Sequence, residues 1–124
     1  MLLIKILITF ALKITFKDKK FEKLANDDRK LVREFGKLRA GKIKTRLAQL
    51  RFAYTLEELI DLPGNYHELT NNRKGQWACD LDQPYRMIFK PHESPIPTNN
   101  NGQYLWREIK AVEVIEVVNY HQEK

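Results

Sequence analysis

Apolar residues recur every three or four positions through much of the first half of the chain, which is the spacing of one helix face. The pattern predicts helical structure over residues 18–60, and Asn26 or Asp27 is a suitable cap for a helix that ends at Gly36. A capping-box pattern predicts a further short helix over residues 56–61. The apolar stripes are Phe21 and Leu24; Leu31, Val32, Phe35 and Leu38; and Ile43, Leu47, Leu50 and Tyr54.

A Pro63-Gly64 break ends the helical pattern, and alternation typical of half-buried strands follows it. Apolar and polar residues alternate from Trp77 onwards, and a turn at residues 82–84 leads into a returning strand. A loop is predicted over residues 91–105, which hold three prolines and three consecutive asparagines. The alternation of the last strand slips near Val114-Ile115, which predicts a β-bulge. The predicted strands cover residues 13–17, 66–70, 77–81, 85–90 and 109–118.

The order of one strand, a helical hairpin and then three or four further strands predicts an α+β fold in a single domain over residues 1–124. The helices are expected on one face of a mostly antiparallel sheet. Residues 1–12 are predicted to be an N-terminal extension. The apolar segment over residues 1–16 is interrupted by Lys5 and Lys13, and its uninterrupted part is shorter than the roughly 18–20 residues that span a bilayer, so membrane anchoring is the less favoured alternative.

Positive charge is concentrated in the first part of the chain. The net charge is +6, and residues 1–56 hold 15 Lys or Arg against 5 Asp or Glu, whereas residues 57–124 hold 7 against 11. A basic helical half favours binding to a polyanion, although a solvated lysine-rich surface has the same composition. The single cysteine, Cys79, excludes an internal disulfide and a cysteine-based zinc site, and it agrees with a reducing, cytoplasmic location.

Two stretches concentrate side chains that handle protons and phosphate: residues 67–89 and residues 119–121. RNA carries its own nucleophile, because a 2′-hydroxyl can attack the adjacent phosphate, and a protein catalyst has to move protons and stabilise the charged phosphorane. Histidine, with an unperturbed pKa of about 6.5, suits proton transfer, and arginine holds two phosphate oxygens at once. The residues predicted to form such a catalytic site are His67, Arg73, Arg86, Tyr120 and His121.

These residues have structural alternatives that the sequence leaves open. His67 follows a Pro-Gly turn and can instead cap local backbone groups, and His121 is close to a chain end, where residues often fray. Arg73 can instead be a solvated residue in a polar turn, and Tyr120 can pack over the edge of the hydrophobic core. Arg86 can instead form a cross-strand ion pair with Asp80 or Asp82. The histidines lack the close spacing of metal ligands, so no metal or other cofactor is predicted.

The order of these residues resembles the HigB-type toxins of the RelE/ParE superfamily of toxin–antitoxin systems. The resemblance extends from about Lys13 to His121. Three features depart from it: Asn119 stands where the family usually has aspartate, residues precede Lys13, and the loop after Pro91 is longer than in the smallest members. The matching positions are His67, Leu69, Arg73, Gly75, Trp77, Tyr85, Arg86, Ile88, Phe89, Tyr120 and His121.

The resemblance implies a metal-independent endoribonuclease that cuts mRNA on the translating ribosome and is silenced by a helix-turn-helix antitoxin. DNA would be contacted only indirectly, through the antitoxin, and no membrane partner is implied. His67 and His121 would be the acid/base groups, Arg73 and Arg86 would stabilise the phosphorane, and Tyr120 would stack on a base. The residues expected to contact RNA phosphates are Lys37, Arg39, Lys42, Lys44, Arg46, Arg51 and Lys74.

Two other functions agree with the same pattern. The first is a non-catalytic inhibitor of DNA gyrase, which is what the ParE branch of the superfamily implies. The second is a degenerate toxin that acts only within an antitoxin–DNA complex. Asn119 keeps the shape and a hydrogen bond of aspartate but not its charge, so any proton transfer at this site falls to the histidines.

Overall fold

Three α-helices follow the first strand, and four further strands follow the helices, in the part of the chain described by the computed structural model, residues 11–122. The fold is α+β, as the element order predicts. The helices are α1 (Lys19–Ala25), α2 (Asp28–Phe35) and α3 (Lys37–Phe52), and a 3-10 helix covers Glu57–Asp61. The strands are β1 (Lys13–Phe16), β2 (His67–Glu68), β3 (Trp77–Asp80), β4 (Tyr85–Pro91) and β5 (Ala111–Asn119).

An aspartate caps the N-terminus of each of the two short helices, and its carboxylate binds a backbone N–H group of the first turn. The Asp18 carboxylate accepts a hydrogen bond of 2.8 Å from the Lys20 N–H, and the Asp27 carboxylate accepts one of 3.2 Å from the Lys30 N–H. Gly36 has φ +83°, a conformation that favours glycine, and it separates α2 from α3. The predicted cap at Asp27 and the predicted end at Gly36 are confirmed, while a break just before Asp27 divides the first helical region in two.

The strands form one mixed sheet in the order β1-β5-β4-β3-β2. β1 is parallel to β5, and the other three neighbouring pairs are antiparallel. The helices carry the chain from β1 at one edge to β2 at the other, and β3, β4 and β5 return it step by step. Ile88 pairs with Glu116 whereas Phe89 pairs with Val114, so Ile115 is an extra residue on β5 and the predicted bulge is confirmed.

The core lies between α3 and one face of the sheet. The Trp77 and Phe89 rings are 6.4 Å apart there, and Trp106 meets Trp77 edge-on at 5.4 Å. Trp77 and Phe89 are fully buried. Tyr54, which was expected to continue the α3 stripe, lies beyond the end of the helix and is 37% exposed. The buried residues of α3 that face the sheet are Ala40, Ile43, Leu47 and Leu50.

Two predicted elements differ in extent from those observed. β2 has only two residues, although a further hydrogen bond of 2.8 Å from the Leu69 N–H to the Gln76 carbonyl continues its pairing with the next segment. The predicted loop over residues 91–105 contains an isolated bridge between Thr98 and Tyr104, so part of it is an ordered hairpin.

The predicted N-terminal extension, residues 1–12, lies outside the described residues except for its last two positions. Of these, Leu12 is buried, and its N–H donates a hydrogen bond of 2.8 Å to the Ala53 carbonyl at the end of α3. Among residues 11–122 there is no helix with the length and apolar character needed to cross a membrane.

Arg46 is directed into the molecule rather than towards solvent, and it is only 8% exposed. Its Nε donates to the Asp80 carbonyl at 2.7 Å, and its Nη1 donates to the Pro63 carbonyl at 3.3 Å and to Gln49 Oε1 at 3.2 Å. A buried guanidinium is tolerated because such hydrogen bonds replace its hydration. The prediction that Arg46 contacts RNA is therefore wrong, and Arg46 instead connects α3, β3 and the turn before β2.

Replacing Gly64 by alanine is expected to lower the free energy of unfolding by about 1–3 kcal/mol. Gly64 has φ +122°, and a Cβ atom there would lie 2.9 Å from the Arg46 Cζ and Nε atoms. Gly41 is the matched control, because it lies within α3 and a Cβ there meets nothing within 4 Å. Gly41→Ala should stabilise the protein by up to about 1 kcal/mol. Urea unfolding measures both, and similar changes in the two variants would contradict the described packing.

Candidate functional site

One face of the sheet is turned away from the helices, and we call it the open face. The strand pairing places His67 opposite Ala78, Ala78 opposite Ile88, and Ile88 opposite Glu116. Paired residues point to the same side of a sheet, and neither Ala78 nor Ile88 belongs to the helix-side core. The next row on this face consists of Asp80, Arg86 and Val118. His67 and Arg86 therefore lie on one face, on strands separated only by β3.

His67 is held by the turn that precedes β2. Its Nδ1 lies 2.7 Å from the carbonyl oxygen of Asn65, so the Nδ1–H donates to that oxygen. Asn65 has φ +52°, and its side-chain amide donates to the Asp80 carboxylate at 3.3 Å. With the proton on Nδ1, the Nε2 atom carries the lone pair and is the basic atom of the ring. His67 is half-buried, and Asn65 fixes both its tautomer and its orientation.

Arg86, Tyr120 and His121 form a stack at the end of β5. The Arg86 Cζ atom lies 5.6 Å from the centre of the Tyr120 ring, within the range of a cation–π contact. The Tyr120 and His121 ring centres are 4.4 Å apart, with 42° between the ring planes. Tyr120 and His121 are exposed, while Arg86 is half-buried. The stack thus brings a half-buried guanidinium together with an exposed phenol and an exposed imidazole.

The turn between β3 and β4 holds this stack in place. The Tyr120 N–H donates to the Pro84 carbonyl at 3.1 Å, and its hydroxyl donates to Gln83 Oε1 at 3.2 Å. The His121 N–H donates to the Asn119 side-chain oxygen at 3.1 Å. Asn119 therefore acts as the cap of the final 3-10 turn, Tyr120–Gln122, and presents His121 on it.

Arg73 reaches the open face from the turn between β2 and β3. Its Nη2 lies 3.3 Å from a carboxylate oxygen of Glu116 on β5, and its Nη1 donates to Gln76 Oε1 at 2.8 Å. Since Glu116 belongs to the same row as His67, this guanidinium lies on the open face with the other candidates. A phosphate bound there would compete with Glu116 for Arg73.

His67 lies on the open face, whereas His121 lies in the 3-10 turn after β5, and the two histidines are not neighbours. β3 and β4 lie between β2 and β5, so the two histidines are separated by three strand spacings, roughly 15 Å between backbones. Arg86 lies on β4, between them. A group held by both imidazoles would therefore sit above β4, within reach of the Arg86 guanidinium.

Most of the predicted RNA-contacting residues are on the surface. Lys44 makes an exposed ion pair of 2.8 Å with Asp28, which stabilises little and is readily exchanged for a phosphate. Arg39 differs, because its Nε and Nη2 bind both carboxylate oxygens of Asp82 at 3.0 and 3.1 Å, and its Cζ lies 3.3 Å from the centre of the Tyr85 ring. Arg39 is thus engaged in holding the β3–β4 turn. The exposed members of the predicted set are Lys37, Lys42, Lys44, Arg51 and Lys74.

The remaining groups with reactive side chains offer no second site. Burial raises the pKa of the Cys79 thiol to about 12, so the thiol stays protonated and does not act as a nucleophile near neutral pH. Within residues 11–122, no three His, Cys, Asp or Glu side chains are grouped as metal ligands would be. His92 lies at the opposite end of the sheet, with its Nδ1 3.4 Å from the Thr15 hydroxyl.

Sequence reasoning missed the residues that position the candidates. Asn65 holds His67, and Gln83 holds Tyr120, but neither belongs to a recognisable motif. The only local signal for Asn65 was its place after Pro63-Gly64, where an asparagine tolerates positive φ. The partner of Gln83 lies 37 residues away along the chain, so no local pattern could have identified it.

Arg39→Ala and Lys42→Ala should affect different properties. Loss of the two-point bond between Arg39 and Asp82 is expected to lower the free energy of unfolding by about 1–3 kcal/mol. Lys42 is exposed, so Lys42→Ala should leave stability unchanged. If Lys42 contacts an RNA phosphate as the sequence predicts, the slope of log K against log salt concentration for RNA binding should also become shallower by about 0.7. Urea unfolding and RNA titrations over a salt series separate the two. A stable Arg39→Ala variant would contradict the structural role of Arg39.

In comparisons with known proteins, no family model matches this chain, no curated protein matches it, and no solved structure matches it. What can be said of its chemistry therefore comes from its own residues. These are a tautomer-fixed imidazole and a guanidinium–phenol–imidazole stack, which lie on one face of the sheet.

Proposed function

We propose that this chain is a toxin of the HigB type, on a RelE/ParE-like fold, and that it cuts mRNA on the ribosome. The stack of Arg86, Tyr120 and His121, on the same sheet face as His67, is the observation that carries this proposal. RNA cleavage needs a base, an acid and a cation around one phosphate, together with a surface for an unpaired nucleotide. All four kinds of group occur on the open face.

His67 is assigned the role of general base. Its Nδ1–H is bound to the Asn65 carbonyl, so its Nε2 is free to accept the proton of the substrate 2′-hydroxyl. The 2′-oxygen then attacks the adjacent phosphorus, and the bond from phosphorus to the 5′-oxygen of the next nucleotide breaks. His121, as an imidazolium, donates its proton to that leaving oxygen. The products are a 2′,3′-cyclic phosphate and a free 5′-hydroxyl, and no metal or cofactor takes part.

Arg86 and Arg73 are assigned to the phosphorane. Negative charge on the equatorial oxygens increases as the 2′-oxygen attacks, and a fixed guanidinium stabilises that charge more than it stabilises the ground state. Arg86 on β4 lies between the two histidines, and Arg73 already binds a carboxylate, Glu116, on the same face. Tyr120 is assigned to a splayed base, which would stack on its exposed ring in competition with the contact from Arg86. Each of these roles uses a side chain that another residue holds in position.

The proposed partners follow from the outer surface of the helices. Lys37, Lys42 and Arg51 are exposed on α3 and would contact mRNA or ribosomal RNA phosphates, in a cytoplasmic setting. On the same helix Leu38 is 66% exposed and Phe52 is 83% exposed, which supports a protein partner. We assign that surface to a helix-turn-helix antitoxin, which would also be the only link to DNA.

His67→Ala and His121→Ala should each lower the rate of mRNA cleavage on programmed ribosomes by roughly 100-fold or more, because each removes a proton-transfer group. His92→Ala is the matched control, since His92 lies at the other end of the sheet and should keep near wild-type activity. Mapping of mRNA 5′ ends measures the cuts. A substrate with a 2′-deoxy sugar at the cut should stay intact.

The same assay distinguishes the proposal from its rivals. Each variant is first shown to be folded by protection of the buried Cys79 thiol from a thiol reagent. Cleavage at wild-type rates in a folded His67→Ala variant would remove that residue from the mechanism. Growth arrest with DNA damage and intact mRNA would instead favour inhibition of DNA gyrase.

Arg86→Gln should lower the cleavage rate by about 100- to 1000-fold, as expected when one fixed donor to a developing negative charge is lost. Lys90→Gln is the matched control, because Lys90 is a cation on the same strand and face, where it pairs with Glu113 at 3.7 Å. Its loss should change the rate by only a few-fold. Equal effects of the two substitutions would show that Arg86 supplies only general positive charge.

A further inference from the structure

A cleft of about 720 Å³ lies beside the candidate site, between the β2–β3 turn and the loop that leads to β5. Its size falls within the range of pockets that bind small organic ligands. Asn71 and Lys74 line it on the turn side, and Asn99, Tyr104 and Trp106 line it on the loop side. None of the roles proposed above uses the loop wall of this cleft.

The loop wall is an ordered structure. The Asn99 side-chain oxygen accepts hydrogen bonds from the N–H groups of Asn101 at 2.8 Å and Gln103 at 3.0 Å. Thr98 and Tyr104 then pair as an isolated bridge. Tyr104 is therefore presented to the cleft by a hairpin whose tip is tied by Asn99.

The loop packs closely against the β2–β3 turn at a glycine. Gly75 has φ +90°, and a Cβ atom there would lie 3.3 Å from Ile96 Cδ1 and 3.9 Å from the Tyr104 hydroxyl oxygen. A side chain at this position would push the two walls apart. The absence of one lets the Tyr104 ring lie against the turn that carries Lys74.

The lining of the cleft suits an unpaired nucleobase. The Tyr104 and Trp106 ring centres are 4.9 Å apart, and the Lys74 ammonium nitrogen lies 5.9 Å from the Tyr104 ring centre. Aromatic rings stack on bases, and a nearby cation binds the phosphate of the same nucleotide. Glu57, Glu68 and Arg107 also line the cleft. The two carboxylates can accept hydrogen bonds from base amino or ribose hydroxyl groups, and Arg107, like Lys74, can bind a phosphate. The lining thus offers aromatic rings for a base and cations for its phosphate.

We propose that this cleft binds one nucleobase of a single-stranded RNA that passes across the open face. That this RNA is an mRNA rests on the function proposed above, whereas base binding by the cleft does not depend on that function. Lys74 directly follows Arg73 in the β2–β3 turn, so the cleft adjoins that part of the candidate site. Glu68 pairs with Trp77 and so points to the helix side of β2, whereas His67 points to the open face, so an RNA strand would pass around the β2 edge to reach both. The base that the cleft takes belongs to a nucleotide outside the cut and contributes to sequence preference.

The test is a fluorescence titration of the full chain with a short single-stranded RNA made uncleavable by 2′-deoxy sugars. Trp106 lines the cleft and Trp77 is buried at 1% exposure, so base stacking should quench Trp106, and Trp106→Phe should abolish the quenching. Tyr104→Ala should weaken binding by roughly tenfold or more, the effect of losing one stacked base. Tyr54→Ala is the matched control, because Tyr54 is an exposed tyrosine outside the cleft and should bind like wild type.

The outcomes separate this inference from the nuclease proposal. Quenching that depends on Tyr104 supports base binding in the cleft, whatever the ribosome assays show. Absence of mRNA cleavage in those assays would overturn only the nuclease proposal. Wild-type affinity in a folded Tyr104→Ala variant, or no quenching of Trp106, overturns the cleft even where cleavage is normal. Protection of the Cys79 thiol confirms that each variant is folded.

Discussion

The guanidinium of Arg46 joins three parts of the chain that are far apart in sequence, and the position of the candidate site depends on it. It binds the carbonyls of Asp80 on β3 and Pro63 in the turn before β2, from its place on α3. Both hydrogen bonds are part-buried, and losing a charged donor to them would be costly. The turn fixed in this way also carries the Asn65 carbonyl, which holds His67. A buried charge on a helix therefore supports the turn that orients a half-buried histidine.

Arg39 has the corresponding role at the other end of α3. Its bidentate bond to Asp82 and its contact with the Tyr85 ring secure the β3–β4 turn. The opposite side of that turn supplies the two hydrogen bonds that hold Tyr120. Part of the positive charge of the helical half is thus structural, and of the residues predicted to contact RNA the exposed lysines and Arg51 remain as candidates.

Local patterns predicted much of the fold, because its helices and strands have clear periodicities. The cap at Asp27, the end at Gly36 and the bulge at Ile115 each have a signal within a few residues. The error at Arg46 has a physical cause: its position on the helix wheel was known, but a long side chain on the flank of a helix can turn inward to reach a carbonyl 34 residues away. The contacts of the supporting residues Asn65 and Gln83 were equally invisible, and the catalytic roles stay predictions.

Asn119 replaces the aspartate that is usual in the HigB-type pattern, yet the local backbone geometry does not depend on this difference. Its side-chain oxygen accepts the His121 N–H, which an aspartate would also do, so the turn that presents His121 does not require a carboxylate. What asparagine lacks is the charge, and with it the ability to accept a proton. The two imidazoles are then not interchangeable. One nitrogen of the His67 ring is bound to the Asn65 carbonyl, while the His121 ring is exposed and packs against Tyr120. In the proposed mechanism His67 would therefore be the base and His121 the acid, on either side of Arg86, and in-line attack on a phosphate needs one group of each kind.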